Sequence, residues 1–314
     1  MASAIVFAYH DVGVRCLKVL LAQGVRIPLV VTHHDSAGEN IWFDSVAAVA
    51  REYDIPAITP EDPNLPATVE AVAGLKPDFL FSFYFRQMIG PRLLAAGARG
   101  ALNMHGSLLP KYRGRVPVNW AVIKGERETG ATLHHMVDKP DAGDIVDQQA
   151  VPILPDDTAL EVFRKVTLAA EMVLHRSLPL LLADKAPRVK QNLARGSYFG
   201  GRKPADGRID WTDTAEAVHN LVRGVAPPYP GAFTTVAGKT LRILKSLRQP
   251  GRRGSFPAPT LFVEGGACLA QCADGSVLRL VDIELEGRRL EPADIVMALG
   301  PAPLSLLSET LSLT

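Results

Sequence analysis

Two hydrophobic periods alternate through the first half of the chain. Short apolar runs at residues 4–8, 27–32, 55–58, 78–83 and 100–104 predict strands. Amphipathic stretches at 14–22, 43–53 and 66–75 predict helices between them. The run at 78–83 is almost wholly apolar, as expected for a strand covered on both faces. This strand–helix rhythm predicts an α/β fold built on an open, mostly parallel sheet. The first strand is followed by Ala8-Tyr9-His10-Asp11-Val12-Gly13 in place of a Gly-x-Gly-x-x-Gly turn, so a dinucleotide site is poorly supported.

The pattern then changes. Residues 130–137 read as a strand, followed by a turn at 139–144 and a long helical pattern over 158–182. Residues 196–207, rich in glycine and positive charge, read as a linker. Beyond them helical signals thin out. Short strand-like runs at 234–236, 241–244 and 276–281 are separated by glycine turns. Two domains follow: residues 1–200 as an α/β unit, and 201–314 as a smaller β-rich, OB-like unit.

Composition narrows the partners. The 314 residues are 47% hydrophobic and 21% charged, enough for a sizeable core. No apolar run approaches the roughly 20 residues that span a bilayer, so no membrane insertion is expected. The N-terminus lacks a basic leader and runs straight into a strand, which argues against a signal peptide. Three cysteines, Cys16, Cys268 and Cys272, suit a reducing cytoplasm better than a disulfide framework. Cys268 and Cys272 have no second pair for zinc. His33-His34-Asp35 and His134-His135 lack further ligands at metal spacing, and the rings of the second pair should point to opposite faces of a strand. No metal is expected. A net charge of +1 gives no basic footprint for a nucleic acid.

The candidate chemistry lies in Asn103-Met104-His105-Gly106-Ser107-Leu108-Leu109-Pro110-Lys111-Tyr112-Arg113-Gly114. An apolar strand ends there, and polar side chains appear at its carboxyl end, where open α/β sheets place ligands. Period-two spacing lets Asn103 and His105 face one side. Taken singly, each has a plainer reading. A lone histidine is more often structural, Asp141 reads equally well as a turn former, and Arg113 and Arg115 read as solvated loop charges.

The whole segment resembles the signature of formyltransferases that use 10-formyltetrahydrofolate: Asn-x-His, then Ser-Leu-Leu-Pro-x-Tyr-Arg-Gly. The resemblance takes in the Asp-x-Gly turn Asp141-Ala142-Gly143, Ile209-Asp210-Trp211 and Pro228-Tyr229-Pro230-Gly231-Ala232-Phe233, and covers essentially the whole chain. It implies a Rossmann-like catalytic domain, 10-formyltetrahydrofolate as co-substrate, and Asn103, His105 and Asp141 as the catalytic set. It also implies folate contacts from Gln87, Met88, Ile89, Arg115, Val137, Asp138, Lys139 and Pro140. The residue types suit the reaction. An amine attacks the formyl carbon, and an amide N–H aimed at the resulting oxyanion contributes roughly 2.7–4 kcal/mol. A histidine moves the amine proton, and a neighbouring carboxylate favours its charged form.

The acceptor is read from three further segments. Phe7-Ala8-Tyr9-His10-Asp11, Thr32-His33 and Phe81-Ser82-Phe83-Tyr84-Phe85-Arg86 resemble the formyltransferase halves of bifunctional polymyxin-resistance enzymes. Those halves formylate UDP-4-amino-4-deoxy-L-arabinose for lipid A modification. Methionyl-tRNA formyltransferases typically carry a basic insertion after the second strand. Residues 33–46 hold three acids and no Lys or Arg, unlike a loop that grips an RNA backbone. A nucleotide-sugar acceptor is therefore expected, with tRNA formylation and an inactive folate-binding module as alternatives. Homo-oligomerisation stays open.

Overall fold

The computed structural model describes residues 1–307, with Ala37, Glu39 and Ala302 excepted. Contacts divide the chain into two units. One comprises Met1–Val118, Glu128–Pro152 and Phe163–Gly201; the other comprises Asn119–Arg127, Ile153–Val162 and the described chain from Arg202 onward.

In chain order the first elements are β1 (Ser3–Ala8), α1 (His10–Ala22), β2 (Arg26–Val31), α2 (Val46–Glu52), β3 (Ala57–Ile58), α3 (Pro66–Gly74), β4 (Phe79–Phe83), α4 (Pro91–Leu94) and β5 (Gly100–His105). Then come β6 (Arg113–Gly114), α5 (Pro117–Ile123), β7 (Glu128–His135), β8 (Ile145–Pro152), α6 (Ala159–Leu182) and β9 (Tyr198–Phe199). Seven strands form one sheet in the order β3-β2-β1-β4-β5-β7-β8. The first five are parallel. The last two join antiparallel, which strand spacing alone did not reveal. Burial explains the apolar runs: every residue of β1 and of β4 is buried. The chain winds one way from β1 and the other way from β4. The carboxyl ends of these strands flank the switch point where such sheets take ligands.

Residues 196–207 are more than a linker. Within them β9 pairs in parallel with β6, tying Tyr198 to Arg113 and Phe199 to Gly114.

The second unit continues with α7 (Ala215–Gly224), β10 (Ala232–Val236), β11 (Lys239–Arg253), β12 (Thr260–Glu264), β13 (Ala267–Gln271), β14 (Ser276–Leu285), β15 (Arg288–Leu290), α8 (Ile295–Leu299) and β16 (Leu304–Ser305). Its antiparallel sheet runs β10-β11-β14-β13-β12-β16, with β15 beside β14. Trp211, Val218 and Val222 pack with Leu241, Ile243, Leu278 and Leu280 in its core. Among the described residues, no helix is long and apolar enough to cross a membrane.

Candidate active site

The site begins with the register of β5 against β7. β7 runs antiparallel to β5, and the register sets Thr132–His135 beside Leu102–His105. Asn103 pairs with His134, and His105 with Thr132. Asn103 is half-buried, whereas His105 and His134 are buried. The loop after β5 is pinned from β7 and β8. The Thr132 hydroxyl donates to the Ser107 carbonyl at 2.6 Å and accepts from the Leu109 amide at 3.2 Å. Gln148 donates to the Leu109 carbonyl at 2.9 Å. Ser107 closes the loop through the Lys111 carbonyl at 2.7 Å. This fold-back delivers the Tyr112 carbonyl to His105 Nε2, 2.8 Å away. A carbonyl only accepts, so Nε2 carries a proton and Nδ1 is the nitrogen left for proton exchange.

Asp141 enters from the turn between β7 and β8, in a left-handed conformation (φ 51°) that aspartate tolerates better than most residues. Its carbonyl and that of Gly143 accept from Gln191 Nε2 at 3.0 and 2.7 Å, which clamps the turn. Gly143 is required because a Cβ there would collide with the His135 carbonyl. The Asp141 carboxylate then becomes the hub. Oδ2 accepts from the Gly114 amide at 2.8 Å. Oδ1 lies 3.5 Å from His105 Nδ1, 3.5 Å from His134 Nε2 and 3.5 Å from Asn103 Nδ2. Burial pushes this carboxyl up. The neighbouring His105 and His134 rings and the Gly114 amide together outweigh burial and hold it well below the usual carboxylate range.

Asn103 and His105 thus meet Asp141 at one carboxylate oxygen although Asp141 lies 36 positions after His105. His134 joins them, with its Nε2 3.1 Å from Asn103 Nδ2 and its Nδ1 2.8 Å from the His135 carbonyl. Sequence reading missed this residue. The available signal was the alternation of the His134-His135 pair, which sends one ring toward Asn103 and the other beside Gly100. Among the described residues, no group of three His, Cys, Asp or Glu side chains is placed to hold a metal ion.

The remaining candidates lie in two loops and on one strand end. Gln87, Met88 and Ile89 follow β4. The Gln87 side-chain nitrogen is tied to the Glu61 carbonyl, while its oxygen is buried with no hydrogen-bond partner among the described residues. Met88 is exposed, and its carbonyl accepts from Asn64 at 2.9 Å. Ile89 is buried in a cluster against which Met136 also packs, so this loop and the 137–141 loop rise from a common apolar base. Val137, Asp138 and Lys139 are exposed and Pro140 is half-buried. Arg115 is exposed, with its amide donating to the Phe199 carbonyl at 2.9 Å. Arg113 departs from its reading as a solvated charge: it is buried, with Nε and Nη1 unpartnered among the described residues.

Around the carboxyl ends of β1, β2 and β4 stands an aromatic cluster. His33 stacks on Phe85, the Arg86 guanidinium lies 4.4 Å from the Tyr9 ring centre, and His10 stacks on Phe43. The Tyr9 hydroxyl donates to Asp35 at 2.6 Å. Ala37 and Glu39, within the acidic segment that bears on the acceptor, lie outside the described residues.

Residues 14–178 match the family model described as "Formyl transferase", and residues 202–298 match "Formyl transferase, C-terminal domain". Solved structures share the fold. The sugar 3N-formyl transferase WlaRD, solved with dTDP and 5-N-formyl-THF, aligns with a TM-score of 0.71 at 20% identity, over 92% of this chain and 98% of its own. An N-formyltransferase from Helicobacter canadensis, solved with folinic acid and dTDP-3-aminofucose, gives 0.68 at 20% identity, over 92% of this chain and 100% of its own. A 4-N formyltransferase from Francisella tularensis gives 0.61 at 21% identity, over 74% of this chain and 91% of its own.

Proposed function

The chain belongs to the formyl transferase family, and from that premise we propose that it moves a formyl group from 10-formyltetrahydrofolate to the amine of a nucleotide-linked sugar. The observation that carries this reading is the convergence of Asn103, His105 and Asp141 at the carboxyl end of β5. The acceptor nitrogen bonds to the formyl carbon, the bond from that carbon to N10 of the folate breaks, and one amine proton passes to N10. Asn103 donates an amide N–H to the oxyanion that develops on the formyl oxygen. His105, held by the Tyr112 carbonyl, takes the amine proton at Nδ1 and returns it to the leaving nitrogen. Asp141 faces that nitrogen and stabilises the charge His105 acquires in between.

The residues fit a folate. The orphaned Gln87 oxygen is an acceptor for the N–H groups of a pterin ring. Gln87, Met88 and Ile89 would line one side of that ring, with Val137, Asp138, Lys139 and Pro140 on the other and Arg115 beside the site. The acceptor we infer is UDP-4-amino-4-deoxy-L-arabinose, which would place the reaction on a route to modified lipid A and polymyxin resistance. Support comes from the Phe7–Asp11 and Phe81–Arg86 segments, whose residues build the aromatic cluster at the switch point. Relatives of the same fold were solved with dTDP or a dTDP-aminosugar, consistent with an acceptor of this class.

An acceptor panel tests the proposal. With 10-formyltetrahydrofolate as donor, turnover of the UDP-aminosugar is expected to exceed that of dTDP-aminosugars, with little or none for methionyl-tRNA. Efficient tRNA formylation without aminosugar turnover would overturn it. Folate binding without transfer to any acceptor would favour an inactive module.

A further inference from the structure

His134 has no part in the mechanism above, yet it makes the shortest contact to the Asn103 amide. Its Nδ1 lies 2.8 Å from the His135 carbonyl and therefore carries a proton in either charge state. Its Nε2 lies 3.1 Å from Asn103 Nδ2. The amide orientation is set independently by Asp141, whose carboxylate oxygen, 3.5 Å from Nδ2, must face N–H and not carbonyl. His134 Nε2 also lies 3.5 Å from Asp141 Oδ1, where a charged ring would donate; the shorter 3.1 Å contact to the Asn103 nitrogen is satisfied only when Nε2 accepts and the ring is neutral. One Asn103 N–H then points at His134. The other makes only the long contact to Asp141 and is free to turn to an oxyanion.

We propose that His134, as its neutral Nδ1–H tautomer, is a positioning residue that holds Asn103 with its N–H side toward the reacting formyl group. The proposal rests on the transferase reading above. A proton on Nε2 would meet the Asn103 NH2 head-on. The amide would rotate its oxygen toward His134, and the oxyanion donor would be lost. The titratable groups facing this ring are Asp141 from the turn after β7, His105 from β5 and His135 on its own strand.

Two measurements test this. In 15N-labelled, ligand-free protein, long-range 15N–1H spectra should show the Nδ1–H tautomer for His134 at pH 7.5, assigned by its loss in His134→Gln. The Asn103 side-chain NH2 signals should shift in His134→Leu. An Nε2–H tautomer, or an Asn103 amide indifferent to His134→Leu, would overturn the proposal whether or not the protein transfers formyl groups. In kinetics, His134→Leu should lower kcat about 10-fold or more while KM for both substrates changes by less than about threefold. His134→Gln keeps an acceptor and should recover most of kcat. A His134→Leu kcat within about twofold of wild type, or a Gln variant as slow as the Leu variant, would reduce His134 to a packing role. A wild type that formylates no acceptor would sink the transferase reading instead, leaving the spectra to decide the tautomer.

Discussion

Asn103 and His105 are distinguished by what holds them. Each sits on a rigid strand, and each has its polar head oriented by a group that can act in only one sense. Asn103→Ala should lower kcat about 10²-fold or more, because an oxyanion donor is removed without altering the strand. His105→Ala should cost about 10²–10⁴-fold through loss of proton transfer. Near-wild-type turnover in either folded variant would remove that residue from the mechanism. Asp141 makes a separate prediction for stability. Its folded carboxyl titrates below its unfolded value, so its contribution is complete above about pH 4 and is lost as the pH falls through the folded value. In urea unfolding, the stability gap between wild type and Asp141→Asn should shrink as the pH falls below about 4. A gap independent of pH would contradict the ion-pair account. At this scale the motif residues stood out through the family resemblance of their segment, and the structure brings them together around the Asp141 carboxylate. His134 did not stand out, because its role depends on which strand it faces. The burial of Arg113 was hidden as well, since a short loop-borne strand gives no periodic signal.

Elements were legible where one period dominated. The buried parallel strands and α6 announce themselves by length and apolarity. Helix α7 did not. Thr214 caps it, accepting from the Ala217 amide at 3.2 Å, but buried His219, Asn220 and Arg223 interrupt its apolar stripe. The structure gives the reason. Arg223 donates to the Asp157 carbonyl at 3.0 Å, and His219 contacts the Pro155 carbonyl at 3.1 Å, so these polar groups are satisfied inside the fold. Strand β11 was read only at its apolar start, because its later residues alternate irregularly between half-buried and exposed. Strand β7 carries a testable feature of its own. Burial, with the nearby charge of Arg188 adding to it, pushes the His135 ring down to about 4. Its unfolded value is about 6.5, so the unfolded chain takes up the extra proton between these limits. The stability it contributes is whole above pH 6.5 and is lost as the pH falls toward 4. Wild-type Tm should therefore drop more steeply over that window than the Tm of His135→Phe, and parallel curves would refute this account of the strand.

For the whole molecule, the sequence conveyed two units of different construction, but not the two excursions, Asn119–Arg127 and Ile153–Val162, by which the second unit draws on chain that precedes Arg202. Contacts between residues so distant in sequence leave no local pattern. Folate binding gives a test at this scale. Folinic acid at about 100 times its Kd should add about 2.7 kcal/mol to stability and raise Tm accordingly. Gln87→Leu, which deletes the orphaned acceptor, should weaken that binding about 10-fold. An unchanged affinity would remove Gln87 from the folate site. The most direct test of the central claim follows the one-carbon unit itself. With 10-formyltetrahydrofolate labelled in the formyl carbon and UDP-4-amino-4-deoxy-L-arabinose as acceptor, the label should appear as a formamide on the sugar nitrogen. The rate should collapse in Asn103→Ala and His105→Ala. Label released as free formate, or left on the folate while the amine stays unmodified, would contradict the account.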